Sequence, residues 1–261
     1  MSYIQLIILS IIEGLTEFLP ISSTAHLMIA SKLINLEATP FTELFFDAIQ
    51  IGAISAVIVE YFRLFTRDIK IYYLLFVAFL PTAIIGILFS NIIRNYLESI
   101  IYMAIALIIG GIIFIFIEKI INKKNIKKQT ISYKDAFIIG IIQSLALVPG
   151  VSRSGSSIVG GLIRNLDKHL AVRFSFLLGV PSIFAATCKK MYDTYKINPD
   201  ILFNNDNIIK ITIGNAISFI IAYLVISKFI SYISKNSFIT LGYYRIILGL
   251  VLLVLYSVNF I

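Results

Sequence analysis

The chain has 261 residues, 59% hydrophobic and only 14% charged, with a mean hydropathy of +0.94, which excludes a soluble domain and indicates an integral membrane protein. Its formal net charge of +8 does not argue for nucleic acid, because Lys and Arg fall in short loops between apolar runs, where they set topology. The single cysteine, Cys188, excludes a disulfide framework and a thiol metal cluster.

The start, Met-Ser-Tyr-Ile-Gln-Leu, lacks a basic region and a small-residue cleavage signal, so it reads as mature protein. Residues 3–12 and 27–34 are apolar but short. A spanning helix needs roughly 20 apolar residues, so two half-length pieces joined at Pro20 predict a re-entrant hairpin. Between them lies Glu-Gly-Leu-Thr-Glu-Phe-Leu-Pro-Ile-Ser-Ser-Thr-Ala-His, residues 13–26, with two carboxylates and one of the two histidines of the chain. Ionisable groups at membrane depth are costly and mark function, so this stretch is the candidate site.

Full-length apolar runs follow at 44–62, 72–93 and 100–117. The lysine-rich segment 119–135 is the one clear linker. Beyond it, 136–163 is apolar at both ends and broken by Pro149-Gly150-Val151-Ser152-Arg153-Ser154-Gly155-Ser156-Ser157, and three more runs come at 170–188, 208–227 and 239–260. The order of elements therefore occurs twice. Residues repeat as well: Ile11-Ile12-Glu13 aligns with Ile141-Ile142-Gln143, Leu15 with Leu145 and Ser22 with Ser152, all at an offset of 130.

The expected fold is an all-α polytopic membrane protein in a single membrane domain, 1–261. Residues 1–118 and 136–261 are two halves, each a re-entrant helix pair plus three transmembrane helices. An odd number of crossings per half makes this an inverted-topology repeat. The segments then placed on one side, 63–71, 118–135, 163–173 and 228–238, hold 14 of the 22 Lys and Arg. That puts the lysine loop in the cytoplasm and both termini outside.

Glu13 and Glu17 are four apart and share a helix face. Either both reach towards water, or they hold a hard divalent cation, Mg2+ or Ca2+, or one accepts a proton. Pro20 ends the first helix, and Ser22, Ser23 and Thr24 suit the cap of the next. Ser23 and His26 are three apart, and a hydroxyl beside an imidazole with a carboxylate nearby can activate a nucleophile or water. Arg153 costs roughly 2.5–3.5 kcal/mol at mid-membrane on insertion scales, so it needs an anionic partner, either a glutamate or a phosphate. Gly150, Gly155, Ser152 and Ser154 around it suit a phosphate at a helix N-terminus. Spacing alone leads to an intramembrane site for a phosphorylated ligand with a divalent metal, and leaves hydrolysis and transport both open.

These residues resemble the bacterial undecaprenyl-diphosphate phosphatases of the bacitracin-resistance type. The resemblance rests on residues 13–26, on Gln143 with Ala146-Leu147, on Pro-Gly-Val-Ser-Arg-Ser-Gly at 149–155 and on Phe-Ser-Phe-Leu-Leu at 174–178, and it runs the whole length. It implies removal of the terminal phosphate of a C55 isoprenoid diphosphate in the bacterial inner membrane, by a multi-pass enzyme that recycles the carrier for cell-wall polymers. It further implies Glu13 and Glu17 as the acidic, metal-binding pair, Ser23 as nucleophile, His26 as acid/base and Arg153 as phosphate clamp, with Ser22, Thr24, Ser152 and Ser154 as supporting donors. Arg173, where some relatives carry an acid, receives no role. Expected partners are the lipid substrate, the bilayer and, as one arrangement, a second copy in a homodimer, with no nucleic acid. A lipid carrier or flippase is the main alternative, because transporters also use broken helices at the midplane. A structural assembly protein would leave Arg153 and both glutamates unexplained.

Overall fold

A computed structural model describes residues 1–97, 99–121 and 128–258 of the chain. It opens with two short helices, α1 (Tyr3–Thr16) and α2 (Ser23–Leu33), then α3 (Pro40–Glu60), the short α4 (Phe62–Arg67), α5 (Ile69–Leu97) and α6 (Ile100–Ile121). After the linker come α7 (Tyr133–Gln143), a 3-10 turn at Ser144–Leu147, α8 (Arg153–Ile163), α9 (Lys168–Ile197), the short α10 (Asp200–Phe203), α11 (Asn205–Lys235) and α12 (Ile239–Ser257). Among the described residues, α3, α5, α6, α9, α11 and α12 are the helices long and apolar enough to cross a membrane, and no strand is formed. The all-helical, multi-pass expectation holds.

The ends of the helices follow from side-chain chemistry. Ser2, Thr39 and Ser132 each accept, through the side-chain oxygen, from the backbone N–H three residues on and donate their own N–H to that residue's side chain, satisfying N–H groups at the helix start. Pro40, at the first position of α3, gives up an N–H that would be unpaired anyway. α1 ends at Thr16, earlier than the proline that causes it. Pro20 cannot donate to the carbonyl of residue 16, and its ring disfavours the helical region for the residue before it.

The linker is shorter than its lysines suggest. α6 continues to Ile121 and α7 starts at Tyr133, so both ends of 119–135 are helical, and 122–127 lie outside the described residues. Lys128 is pinned to the turn after α8, with its N–H on the Asn165 carbonyl and its carbonyl accepting from Asp167.

Packing is tightest where glycine lets helices approach, as expected where apolar burial cannot drive association within lipid. α6 runs along α12, with Gly111 and Gly242 facing each other, and α3 runs along α11. α1 sits against α11 and α7 against α5, through Gly14 and Gly140 respectively. Phe18, Phe174, Phe176 and Leu178 fill the interior beside the two helix breaks. Phe76, Ile87, Phe116 and Ile247 face outward, as lipid contact requires.

Geometry recurs at the sequence offset of 130. α1 and α7 start at Tyr3 and Tyr133, and α2 and α8 at Ser23 and Arg153. Ser22 and Ser152 both have positive φ, 72° and 71°, as do Asn35 and Asn165, at 49° and 60°. A non-glycine residue there costs on the order of 1–3 kcal/mol, so both breaks hold strained backbone beside the candidate residues.

Candidate active site

Glu17 caps the C-terminus of α1, and its two oxygens go different ways. Oε2 accepts from the Ser23 hydroxyl at 2.6 Å, and Oε1 accepts from Arg153 Nη2 at 3.1 Å. Ser23 opens α2 and Arg153 opens α8, so one carboxylate joins both helix breaks. Arg153 Nη1 donates to the Ser175 carbonyl at 2.8 Å, and its Cζ stands 5.8 Å from the Phe18 ring centre. A Cβ at Gly179 would fall 2.7 Å from Nη1, so only glycine leaves the guanidinium this berth on α9. Side-chain exposure is 14% for Arg153 and 7% for Glu17, which places the pair where water screens little.

The serines of the second break are engaged with one another. Ser154 gives its proton to the Leu19 carbonyl at 3.1 Å. Ser152 must therefore donate to Ser154 Oγ, also at 3.1 Å, while accepting from Gly155 N–H. Gly150 has φ 92°, and a Cβ there would run into the Met103 backbone, so the turn requires glycine.

These residues surround a cavity of about 220 Å3 lined by Glu17, Ser22, Ser23 and Thr24 from the first break and by Gly150, Ser152 and Arg153 from the second. Gln50, Thr82, Gln143 and Ser182 complete its wall. A larger cavity of about 420 Å3 lies behind the first break, but its lining is apolar apart from Thr16, Lys228 and Tyr232, and it holds no pair of reactive groups. The smaller cavity is the candidate site.

Four expected site residues do not line it. Ser154 and Gly155 lie just behind the wall, tying the second break to Leu19 and Ser152. Glu13 lies one turn before Glu17, wholly buried, with neither carboxylate oxygen hydrogen-bonded but within electrostatic reach of Glu17, Asp47 and Arg153. His26 points elsewhere. Its Nδ1 bonds the Ser22 carbonyl at 2.8 Å, and its Nε2 meets the Tyr244 hydroxyl at 2.6 Å, with the two rings parallel. A carbonyl only accepts, so Nδ1 carries the proton and Nε2 of the neutral ring accepts from Tyr244. The same-face spacing of Ser23 and His26 thus does not bring them together, because Ser23 turns back across the break to Glu17.

No group of three or more His, Cys, Asp or Glu suited to a metal occurs among the described residues. The Glu13–Glu17 pair nevertheless fits a hard cation, since Glu13 presents two buried oxygens that accept from no donor group and stands within reach of Glu17.

The sequence reading gave two groups no place in the site. Gln143, fully buried, donates to Thr82 and Ser182 in the cavity wall. Arg245, a charge within the apolar run 239–260, is fully buried and bonds the backbone of both breaks. The cost argument applied to Arg153 would have singled it out.

Fold and site together define a polytopic helical membrane protein with a buried serine–carboxylate–arginine centre at two helix breaks. The chain belongs to the bacitracin resistance protein BacA family, whose model matches residues 6–251. An undecaprenyl-diphosphatase of Flavobacterium psychrophilum is 46% identical over 256 residues, covering 98% of this chain and 97% of its own length. Those of Bdellovibrio bacteriovorus and Persephonella marina are each 43% identical, over 98% and 97% of this chain and 96% and 98% of their own.

Proposed function

We propose that this chain hydrolyses undecaprenyl diphosphate to undecaprenyl phosphate and inorganic phosphate in the bacterial inner membrane, returning a lipid carrier to cell-wall polymer synthesis. Relatives bearing the name undecaprenyl-diphosphatase support the substrate. The observation that carries the chemistry is the hydrogen bond from Ser23 Oγ to Glu17 Oε2 inside a cavity that also holds Arg153.

In this reading Ser23 Oγ attacks the terminal phosphorus and its proton passes to Glu17. The bond from that phosphorus to the bridging oxygen breaks, and the electron pair leaves with undecaprenyl phosphate. Water then attacks the phosphoserine: its oxygen bonds phosphorus as the phosphorus–Ser23 bond breaks, the proton held by Glu17 returns to Ser23 Oγ, and both water protons leave on inorganic phosphate. Arg153 stabilises the equatorial oxygens, and its Nε is buried with no partner of its own, a donor available for one of them. Ser22, Thr24 and the first amides of α8 add donors at the cavity wall. Glu13 and Glu17 would hold a divalent cation, Mg2+ or Ca2+, whose charge offsets that of the diphosphate. For His26 to serve as acid or base, its ring must leave Tyr244.

We further read α1–α2 and α7–α8 as re-entrant pairs and the halves 1–118 and 136–261 as an inverted repeat. The paired helix starts, caps and positive-φ serines at one offset support this. A cysteine at position 126 labelled only from outside would contradict the orientation.

The deciding experiment gives purified protein an isoprenyl diphosphate with Mg2+ or Ca2+ and measures phosphate release with and without EDTA. Release that EDTA abolishes is expected. No release under any metal condition would favour the carrier, which the broken helices also suit.

A further inference from the structure

Arg245 is the largest wholly buried side chain among the described residues, yet it pairs with no carboxylate there. Its partners are backbone carbonyls. Nη1 donates to Pro20 at 2.9 Å, in the first break; Nη2 donates to Gly150 at 3.1 Å and Val151 at 3.0 Å, in the second, and reaches Ala106 on α6 at 3.4 Å. One guanidinium on a spanning helix thus holds the turns that carry Ser23 and Arg153.

The arrangement is built to admit it. Gly110 on α6 leaves the space, since a Cβ there would lie 2.8 Å from Cζ, and a Cβ at Gly155 would come 3.2 Å from Nη1. Carbonyls at a helix break have lost their intrahelical donors, and a planar fork of several N–H groups can satisfy two turns at once where a point-like ammonium cannot. Burying a cation without a counter-ion is costly at membrane depth, a cost that the bonds to both breaks must offset.

We propose that Arg245 is a positioning residue for the reaction: it fixes the first break against the second so that Ser23 and Arg153 meet the same phosphoryl group. This rests on the phosphatase reading. A misplacement of about 1 Å can cost on the order of a hundredfold in rate, so the signature lies in kcat.

The test uses Arg245→Lys, which keeps the charge but not the fork, and Gly110→Ala, which keeps Arg245 but crowds its guanidinium. Phosphate release is measured per folded protein, with amide hydrogen exchange at residues 19–23 and 149–152 in parallel. Expected is a fall in kcat of about a hundredfold for Arg245→Lys and about tenfold for Gly110→Ala, with KM within about threefold of wild type and exchange in both turns at least about tenfold faster. If Arg245→Lys does not fold, Gly110→Ala carries the test alone. Wild-type kcat per folded molecule, or unchanged exchange, overturns the proposal. If wild type itself releases no phosphate while the variants still loosen both turns, the clamp stands and the phosphatase reading fails.

Discussion

Glu13 and Gln143 stand 130 residues apart in the chain, both wholly buried, and each keeps a side-chain oxygen with no hydrogen-bond partner. Gln143 Nε2 donates to the hydroxyls of Thr82 at 3.2 Å and Ser182 at 3.1 Å. Those hydroxyls spend their own protons on the carbonyls of Gly140 and Leu178, which fixes the amide orientation. Positions 130 residues apart therefore carry a carboxylate just before the first break and a neutral amide just before the second. The carboxylates stand at the first break and the arginine at the second.

Glu13→Gln places at position 13 the amide that stands at position 143. The apparent affinity for the activating cation is expected to fall about tenfold or more, because a charged carboxylate with two ligating oxygens becomes a neutral amide with one. The melting temperature in detergent should not drop, since a buried carboxylate without a partner is replaced by a neutral group. A cation titration of phosphate release unchanged by the substitution would remove Glu13 from the metal site.

Ser23→Ala tests the nucleophile. Release is expected to fall by about a thousandfold or more, and radiolabelled substrate should leave phosphate on wild-type protein but none on the variant. Near-wild-type turnover would leave Ser23 only a role in positioning water.

Gly179→Ala reaches Arg153 without touching it. The new methyl would sit 2.7 Å from Nη1 and push the guanidinium off the Ser175 carbonyl. We expect a loss of about tenfold or more in kcat/KM, comparable in direction to Arg153→Lys, which removes the fork. If Gly179→Ala is fully active while Arg153→Lys is not, the berth on α9 does not matter to the reaction.

Asp135 governs stability near the lysine-rich linker. Burial pushes its carboxyl up, but the Ser132 hydroxyl, Lys128 and Arg164 together hold it well below the usual carboxylate range. A depressed folded-state value means the stabilisation is complete above the unfolded value of about 3.9 and disappears as pH falls through the folded one. Asp135→Asn should therefore cost roughly 1–3 kcal/mol at neutral pH, by loss of charged hydrogen bonds. Thermal melts of wild type and variant should stay apart from pH 5 to 8 and converge only in strong acid.

Composition and spacing already place the helices, their two breaks and the residue types gathered there. Hydrocarbon thickness sets helix length, and lipid leaves every backbone polar group to be satisfied within the protein, so apolar runs of spanning length and a proline-interrupted stretch have few structural solutions. The 130-residue offset, read from a handful of identities, reappears in helix starts and in the backbone of Ser22 and Ser152. Only the tertiary structure decided the partners. That Ser23 turns to Glu17 and His26 to Tyr244 depends on which groups stand across each break, and Tyr244 is 218 residues from His26. Arg153 meets Glu17 across 136 residues and Arg245 meets Pro20 across 225. Local spacing fixes which side chains share a helix face, whereas contacts between distant segments follow from how the helices pack, and that is what assembles the site.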